Sequence, residues 1–315
     1  MTAIECRGIT KRFGSVTALR DLDLTVESGE VFGFLGPNGA GKSTTIDILL
    51  NYTYPTTGEA RVLGMDAAEE TVAVRERTGV LPDGYGPLGE MTGREHVAFA
   101  IEAKQGYEEP MALLERVGIP DAADRPATGY SKGMRQRLML AMALAGEPDL
   151  LILDEPSTGL DPAGAREMRE IVLEEADRGA TVFFSSHILE QVEAVCDRVG
   201  ILSEGRLVAI DTIEGLREAA GTTGELTVTL DSAPDGLPGS VRALDGVSSV
   251  EASGHTITVG CENRAKGMVV QACYNAGATV ENIETSQASL EDLFVAYTQG
   301  DGEAARPATA PGAEP

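Results

Sequence analysis

Apolar residues follow two rhythms along this chain. Unbroken runs at Val31–Leu35 and Leu150–Leu153 suit strands buried on both faces of a parallel sheet, and Thr181–Ser186 reads as a further strong strand. Thr17–Val26 alternates apolar and polar residues instead, which predicts a half-exposed strand paired through a turn with Ile4–Ile9. Gly58–Gly64 and Gly79–Pro82 read as further short strands. Helical spacing covers Lys42–Leu50, Thr71–Arg77, Arg94–Lys104, Pro110–Val117, Lys132–Ala145, Pro162–Ala176 and Ile188–Cys196. The alternation of strand and helix predicts an α/β sheet, with a helical insertion at about 87–146.

The pattern restarts after Thr222-Thr223-Gly224, which reads as a linker. Strands are expected at Glu225–Leu230, Val247–Ala252, Thr256–Gly260 and Thr279–Thr285, with helices at Pro238–Leu244 and Arg264–Asn275. The order β-α-β-β-α-β predicts a small α+β, ferredoxin-like unit. A last helix, Leu290–Tyr297, follows Ser289, with Asp292 at capping-box spacing. Residues 300–315 are rich in Ala, Pro, Gly and Glu and read as a disordered tail. The chain thus divides into domains at 1–221 and 225–299.

Charge changes the picture of partners. There are 50 acidic residues against 25 basic, a formal net of −25. Only five of the basic residues are lysines: Lys11, Lys42, Lys104, Lys132 and Lys266. Such a surface argues against nucleic-acid binding. The composition resembles that of halophile proteins; an acidic mesophilic protein is the plainer alternative. No run of eighteen apolar residues spans a membrane, and the N-terminus lacks a signal-peptide pattern. Cys6, Cys196, Cys261 and Cys273 lack C-x-x-C spacing and read as reduced and cytosolic. Cys261 and Cys273 with His255 have the wrong spacing for a metal.

Candidate chemistry concentrates after the buried runs. Gly36-Pro37-Asn38-Gly39-Ala40-Gly41-Lys42-Ser43, then Thr44, joins a strand to a helix, the setting in which G-x-x-x-x-G-K-[ST] binds phosphate. Glycines allow close backbone approach, and the helix N-terminus adds partial positive charge. Lys42 would reach the β- and γ-phosphates and the Ser43 hydroxyl would ligate Mg²⁺. The run Leu150–Leu153 delivers Asp154 to the Mg²⁺ shell and Glu155 to a water that attacks the γ-phosphate. Phe13, on a polar turn, fits either stacking on a nucleobase or anchoring the turn. His187 ends another strand and could equally cap the following helix.

These motifs, in this order, resemble the nucleotide-binding subunit of an ABC transporter over roughly Ile4–Glu218. Phe13 matches the adenine-stacking aromatic, and Gly36–Ser43 the phosphate loop. Tyr130-Ser131-Lys132-Gly133-Met134-Arg135-Gln136 matches the family's signature loop, in a form similar to exporters of drugs, antibiotics or polysaccharides. Asp154 and Glu155 match the Walker-B pair, Thr158-Gly159-Leu160-Asp161 the D-loop, and His187 the switch histidine. The implied fold is a P-loop NTPase sheet with an antiparallel β edge and a helical subdomain. The implied ligands are ATP and Mg²⁺. The implied assembly is a head-to-tail homodimer, each ATP held between one phosphate loop and the other copy's Ser131 and Gly133, docked on a separate transmembrane permease at the cytoplasmic face. A C-terminal domain ending like Ser289–Phe294 is often found in this subclass. Two positions depart from the pattern. Lys132 replaces a signature glycine. Asp83 stands where the family has its Q-loop glutamine, and is either a water-mediated Mg²⁺ contact or an ordinary loop acid. The rival readings are a soluble ABC ATPase uncoupled from transport and a nucleotide-binding regulator without turnover.

Overall fold

A computed structural model describes residues 1–84, 86, 89–219, 224–286 and 289–299. The chain separates into two compact units with the boundary between Ile213 and Glu214.

The first unit opens with β1 (Thr2–Phe13) and β2 (Val16–Glu27), then β3 (Val31–Leu35) and α1 (Lys42–Leu49). Next come β4 (Thr57–Val62), β5 (Met65–Asp66), α2 (Thr71–Arg77) and β6 (Thr78–Leu81). The helical insertion holds α3 (Gly93–Ala103), α4 (Pro110–Arg116) and α5 (Lys132–Leu144). The sheet resumes with β7 (Leu150–Asp154), α6 (Pro162–Asp177), β8 (Thr181–Ser186), α7 (Leu189–Glu193), β9 (Arg198–Ser203) and β10 (Arg206–Thr212).

Two sheets result. One is antiparallel, in the order β2-β1-β4-β5, and the other runs β10-β9-β3-β8-β7-β6. In the second, β9, β3, β8, β7 and β6 are parallel and β10 turns back along the edge. Every residue of β3, β7 and β8 is buried, the apolar ones as a sheet covered on both faces requires and Asp154, Thr181, Ser185 and Ser186 as buried polar exceptions. Phe183 of β8 stacks with Phe32 at 5.9 Å between centroids and meets Phe34 at 5.2 Å, filling the core beneath the loop that follows β3. The expected elements are present, most with ends moved by a residue or two, while β1 runs four residues beyond the expected Ile9 to Phe13. α7 is shorter than the helix expected over Ile188–Cys196.

Strands β9 and β10 are not among the expected elements. Their turn, Glu204-Gly205, has φ of 48° and 78°, the two-residue form that matches strand twist. The hairpin supports the glycine loop: the Gly205 N–H donates to the Ala40 carbonyl at 2.9 Å. A Cβ on Gly36 would stand 2.5 Å from the Leu202 carbonyl.

α5 lies against β6 so closely that a Cβ on Gly79 would stand 2.0 Å from the Ala143 carbonyl oxygen. The insertion is tied to α6 by charge. Arg116 donates to Glu175 at 2.6 Å and to Glu174 at 2.9 Å, and Arg178 holds the same buried Glu175 at 2.6 Å. Two guanidiniums on one buried carboxylate satisfy it where a lone charge would be costly.

The second unit begins with α8 (Ile213–Ala219), followed by β11 (Gly224–Leu230), α9 (Leu237–Arg242), β12 (Val247–Ser253), β13 (Thr256–Cys261), α10 (Lys266–Asn275), β14 (Val280–Ser286) and α11 (Leu290–Gln299). Its sheet order is β12-β13-β11-β14, antiparallel throughout, which is the ferredoxin-like arrangement expected. The boundary differs from the expected one at 221. α8 belongs to this unit apart from its first residue, and the Tyr297 hydroxyl of α11 donates to the Leu216 carbonyl at 3.3 Å. Thr222, Thr223, the Asp292 side chain and the tail at 300–315 lie outside the described residues. No described helix is long and apolar enough to cross a membrane.

A net charge of −25 makes the folded chain repel itself. Added salt shortens the Debye length from about 10 Å at 0.1 M to about 3 Å at 1 M. The melting temperature is therefore expected to rise across a KCl series over that range. A melting temperature independent of KCl would show that the excess acid is no burden to the fold.

Candidate nucleotide site

The site forms where β3 and β7 end. Beyond Leu35 the chain turns through Gly36–Gly41 and enters α1 at Lys42. Gly41, at φ 115°, is the N-cap of α1 and supplies no side chain, so the first-turn N–H groups are left to an anion. Glycine is required at Gly41 on two counts. Its φ is strained for any other residue, and a Cβ would stand 2.8 Å from the Ala18 carbonyl. Gly39, at φ 82°, has open space where a Cβ would sit.

Lys42 is buried, and its ammonium donates to the Gly36 carbonyl at 2.6 Å and lies 3.9 Å from Glu155 Oε1. Burial pulls its pKa down; Glu155, Asp154 and Asp83 pull it back up. The Ser43 hydroxyl reaches Asp154 Oδ2 at 3.4 Å. Burial raises the Asp154 pKa, and the negative charges of Asp83 and Glu155 add to this; Ser185 and Lys42 oppose it.

Glu155 takes the left-handed conformation, φ 50°, that sets its side chain off the end of β7. Its N–H donates to the Ser185 carbonyl at 2.9 Å. The Gln136 amide of α5 donates to the neighbouring Pro156 carbonyl at 2.8 Å, and Ser157 bonds Gln191 of α7. On the carboxylate itself, Oε2 lies 2.7 Å from His187 Nδ1. His187 therefore does not cap α7: the cap position is Ile188, and the Ile188 N–H is taken by the Ser186 hydroxyl at 3.0 Å.

A cavity of about 170 Å³ joins these groups, lined by Pro37, Asn38, Gly39, Gly41, Lys42, Ser43, Thr44, Asp83, Asp154 and Glu155, with Ala18. Ala40 is buried behind it. The donor set fits a magnesium nucleotide. One buried ammonium and a helix N-terminus suit phosphates, and a hydroxyl with three carboxylates offers the hard oxygen ligands that Mg²⁺ prefers.

Six expected residues do not line this cavity: Gly36 and Ala40 belong to the loop around it, His187 meets it only through Glu155, and the other three are Phe13, Ser131 and Gly133. Phe13 ends β1 and is 52% exposed, so it is no buried turn anchor, and Lys11 Nζ sits 4.7 Å from the ring centroid. Ser131 caps α5 by accepting the Met134 N–H at 3.2 Å. Gly133 lies on the first turn of α5, where a Cβ would stand 3.2 Å from the Gly159 carbonyl. The stem of Lys132 lies over Gly159 as well, and of the five lysines, all within the described residues, Lys132 alone is exposed. Gln136, Gln191 and Ser185 are absent from the expected site. Their part depends on loops brought together from distant stretches; the hints were Gln136's place at the end of the signature loop and the serine's on a strand ending near His187.

Residues 19–158 match a protein-family model described as ABC transporter. A daunorubicin resistance ATP-binding protein of Streptomyces coeruleorubidus is 33% identical over 95% of this chain and 97% of its own length. A fluoroquinolones export ATP-binding protein of Mycobacterium tuberculosis is 35% identical, over 94% of this chain and 93% of its own. The solved structure of an ATP-binding subunit of an ABC transporter is 31% identical with a TM-score of 0.65, covering 70% of this chain and 94% of that one. With relatives at this identity matching it nearly end to end, and with the phosphate loop and paired acids joined in one cavity, the chain belongs to the ABC transporter family as an ATP-binding subunit of the ABC ATPase class.

Proposed function

We propose that this subunit hydrolyses ATP to power export across a membrane. One observation carries the hydrolytic half: Glu155 is held by His187 at 2.7 Å on one oxygen and faces Lys42 at 3.9 Å on the other, in the cavity that the phosphate loop lines. Glu155 acts as general base toward water, and His187 orients it. Lys42 and the N–H groups of Gly36–Thr44 hold the phosphates. Ser43 and Asp154 would hold Mg²⁺, which when bound neutralises phosphate charge. Phe13 stacks on the adenine. A nucleotide-binding regulator without turnover would not need the Glu155–His187 contact.

The remaining parts of the reading concern assembly. Ser131 and Gly133, on the exposed start of α5, contact the nucleotide of a second copy in a head-to-tail dimer. A separate permease docks the dimer at the cytoplasmic face and selects the cargo. The names of the two relatives, daunorubicin resistance and fluoroquinolones export, support the outward direction. Co-expression with any six-span permease encoded beside it tests this half. The two should co-purify, and ATP turnover should rise in vesicles holding both. Turnover without co-purification would leave a soluble ATPase.

Asp83 lines the same cavity as Ser43, Asp154 and Glu155, and its charge acts on Lys42 and Asp154. It acts on Mg²⁺ through a bridging water, its side chain being one methylene shorter than glutamine. Asp83→Asn is expected to raise the Mg²⁺ concentration for half-maximal ATPase, at fixed ATP and ionic strength, while Asp83→Gln stays near wild type. An unchanged Mg²⁺ dependence in Asp83→Ala would make the residue an ordinary loop acid.

A further inference from the structure

Ser185 touches both acids of the site. It is the fifth residue of β8, fully buried, and pairs in register with Asp154 on the adjacent parallel strand. Its main-chain carbonyl accepts the Glu155 N–H at 2.9 Å, the bond that holds Glu155 at φ 50°. Its hydroxyl oxygen has no hydrogen-bond partner of ordinary geometry among the described residues, although it stands near enough to Asp154 to favour the charged carboxylate. The residues before it, Phe183 and Phe184, are buried hydrocarbon. A buried hydroxyl left unpaired weakens a fold, and an alanine would suit this strand without that cost. The hydroxyl is therefore suited to a partner that forms only when the cavity is filled.

We propose that Ser185 is a positioning residue for the metal: when Ser43 and Asp154 hold Mg²⁺, the Ser185 hydroxyl donates to the Asp154 carboxylate and keeps it turned toward the ion. The proposal rests on the ATPase reading above. Partners of this kind, one step behind the ligands, fix ligand orientation, and their loss costs about 10–100-fold in metal affinity. The same residue also supports the base through its main chain, which any substitution but proline preserves.

The test is Mn²⁺ binding followed by electron paramagnetic resonance, with a non-hydrolysable ATP analogue present, beside binding of the analogue alone in EDTA. Ser185→Ala is expected to weaken Mn²⁺ binding by about tenfold. Ser185→Thr should restore it, analogue binding in EDTA should not change, and the ligand-free melting temperature of Ser185→Ala should not fall. Unchanged Mn²⁺ affinity in Ser185→Ala overturns the proposal. So does a parallel loss of metal-free binding, or a lower ligand-free melting temperature, since either means that the hydroxyl serves the fold. If the unsubstituted protein binds neither analogue nor Mn²⁺, the ATPase reading itself fails, a result distinct from all of these.

Discussion

Glu155→Gln is expected to lower ATP turnover at least 100-fold or so while leaving ATP bound. The amide has the shape of the carboxylate, so it fits the same left-handed position at φ 50° and the same N–H to Ser185 carbonyl bond. What it loses is the negative charge that His187 holds at 2.7 Å and the capacity to take a proton. General bases contribute about 10²–10⁴-fold, which sets the scale. Losing that charge also frees Lys42 from its neighbour at 3.9 Å, which favours phosphate on the ammonium rather than opposing it. The variant should therefore accumulate as an ATP-dependent dimer on size exclusion at high salt. Turnover near the wild-type rate would remove Glu155 from the role of base.

Gly79→Val is expected to cost the first unit more than about 3 kcal/mol of stability. The new Cβ would lie 2.0 Å from the Ala143 carbonyl oxygen and 2.8 Å from Leu151 Cδ2. The first of these is helix backbone, so the clash cannot be relieved by a rotamer change. α5 would have to lift off β6. For a unit of this size that loss corresponds to about 6–12 °C in melting temperature. Gly267→Ala, in α10 with open space around the new methyl, is the contrasting case and should be neutral or slightly stabilising. A Gly79→Val protein that melts with the wild type would mean that α5 does not depend on this approach.

Much of the fold was legible because its signals are local. Val31–Leu35, the glycine spacing and Lys42–Leu50 lie within twenty residues, and each is fixed by backbone and burial rules that act at that range. The same holds for Leu150–Glu155 and for the β-α-β-β-α-β order of the second unit. The hairpin of β9 and β10 is hard to read from the sequence because Arg198 and Gly200 interrupt the first strand and the second is only half buried. A two-residue Glu-Gly turn between the apolar runs was its one signal. Contacts across sequence distance were illegible in kind. Glu155 and His187 are 32 residues apart, and no spacing rule connects them. Ser185 in an apolar strand looks like a strand end until its register with Asp154 is known. The family resemblance supplied the histidine, but had nothing to say of the serine.

The exposure of Lys132 has a practical consequence. With the other lysines half-buried or buried, the Lys132 ammonium is the readiest lysine of this chain for amine-directed conjugation. A fluorophore can thus be placed at the start of α5 without engineering a cysteine, beside the Gly159 backbone that its stem already covers.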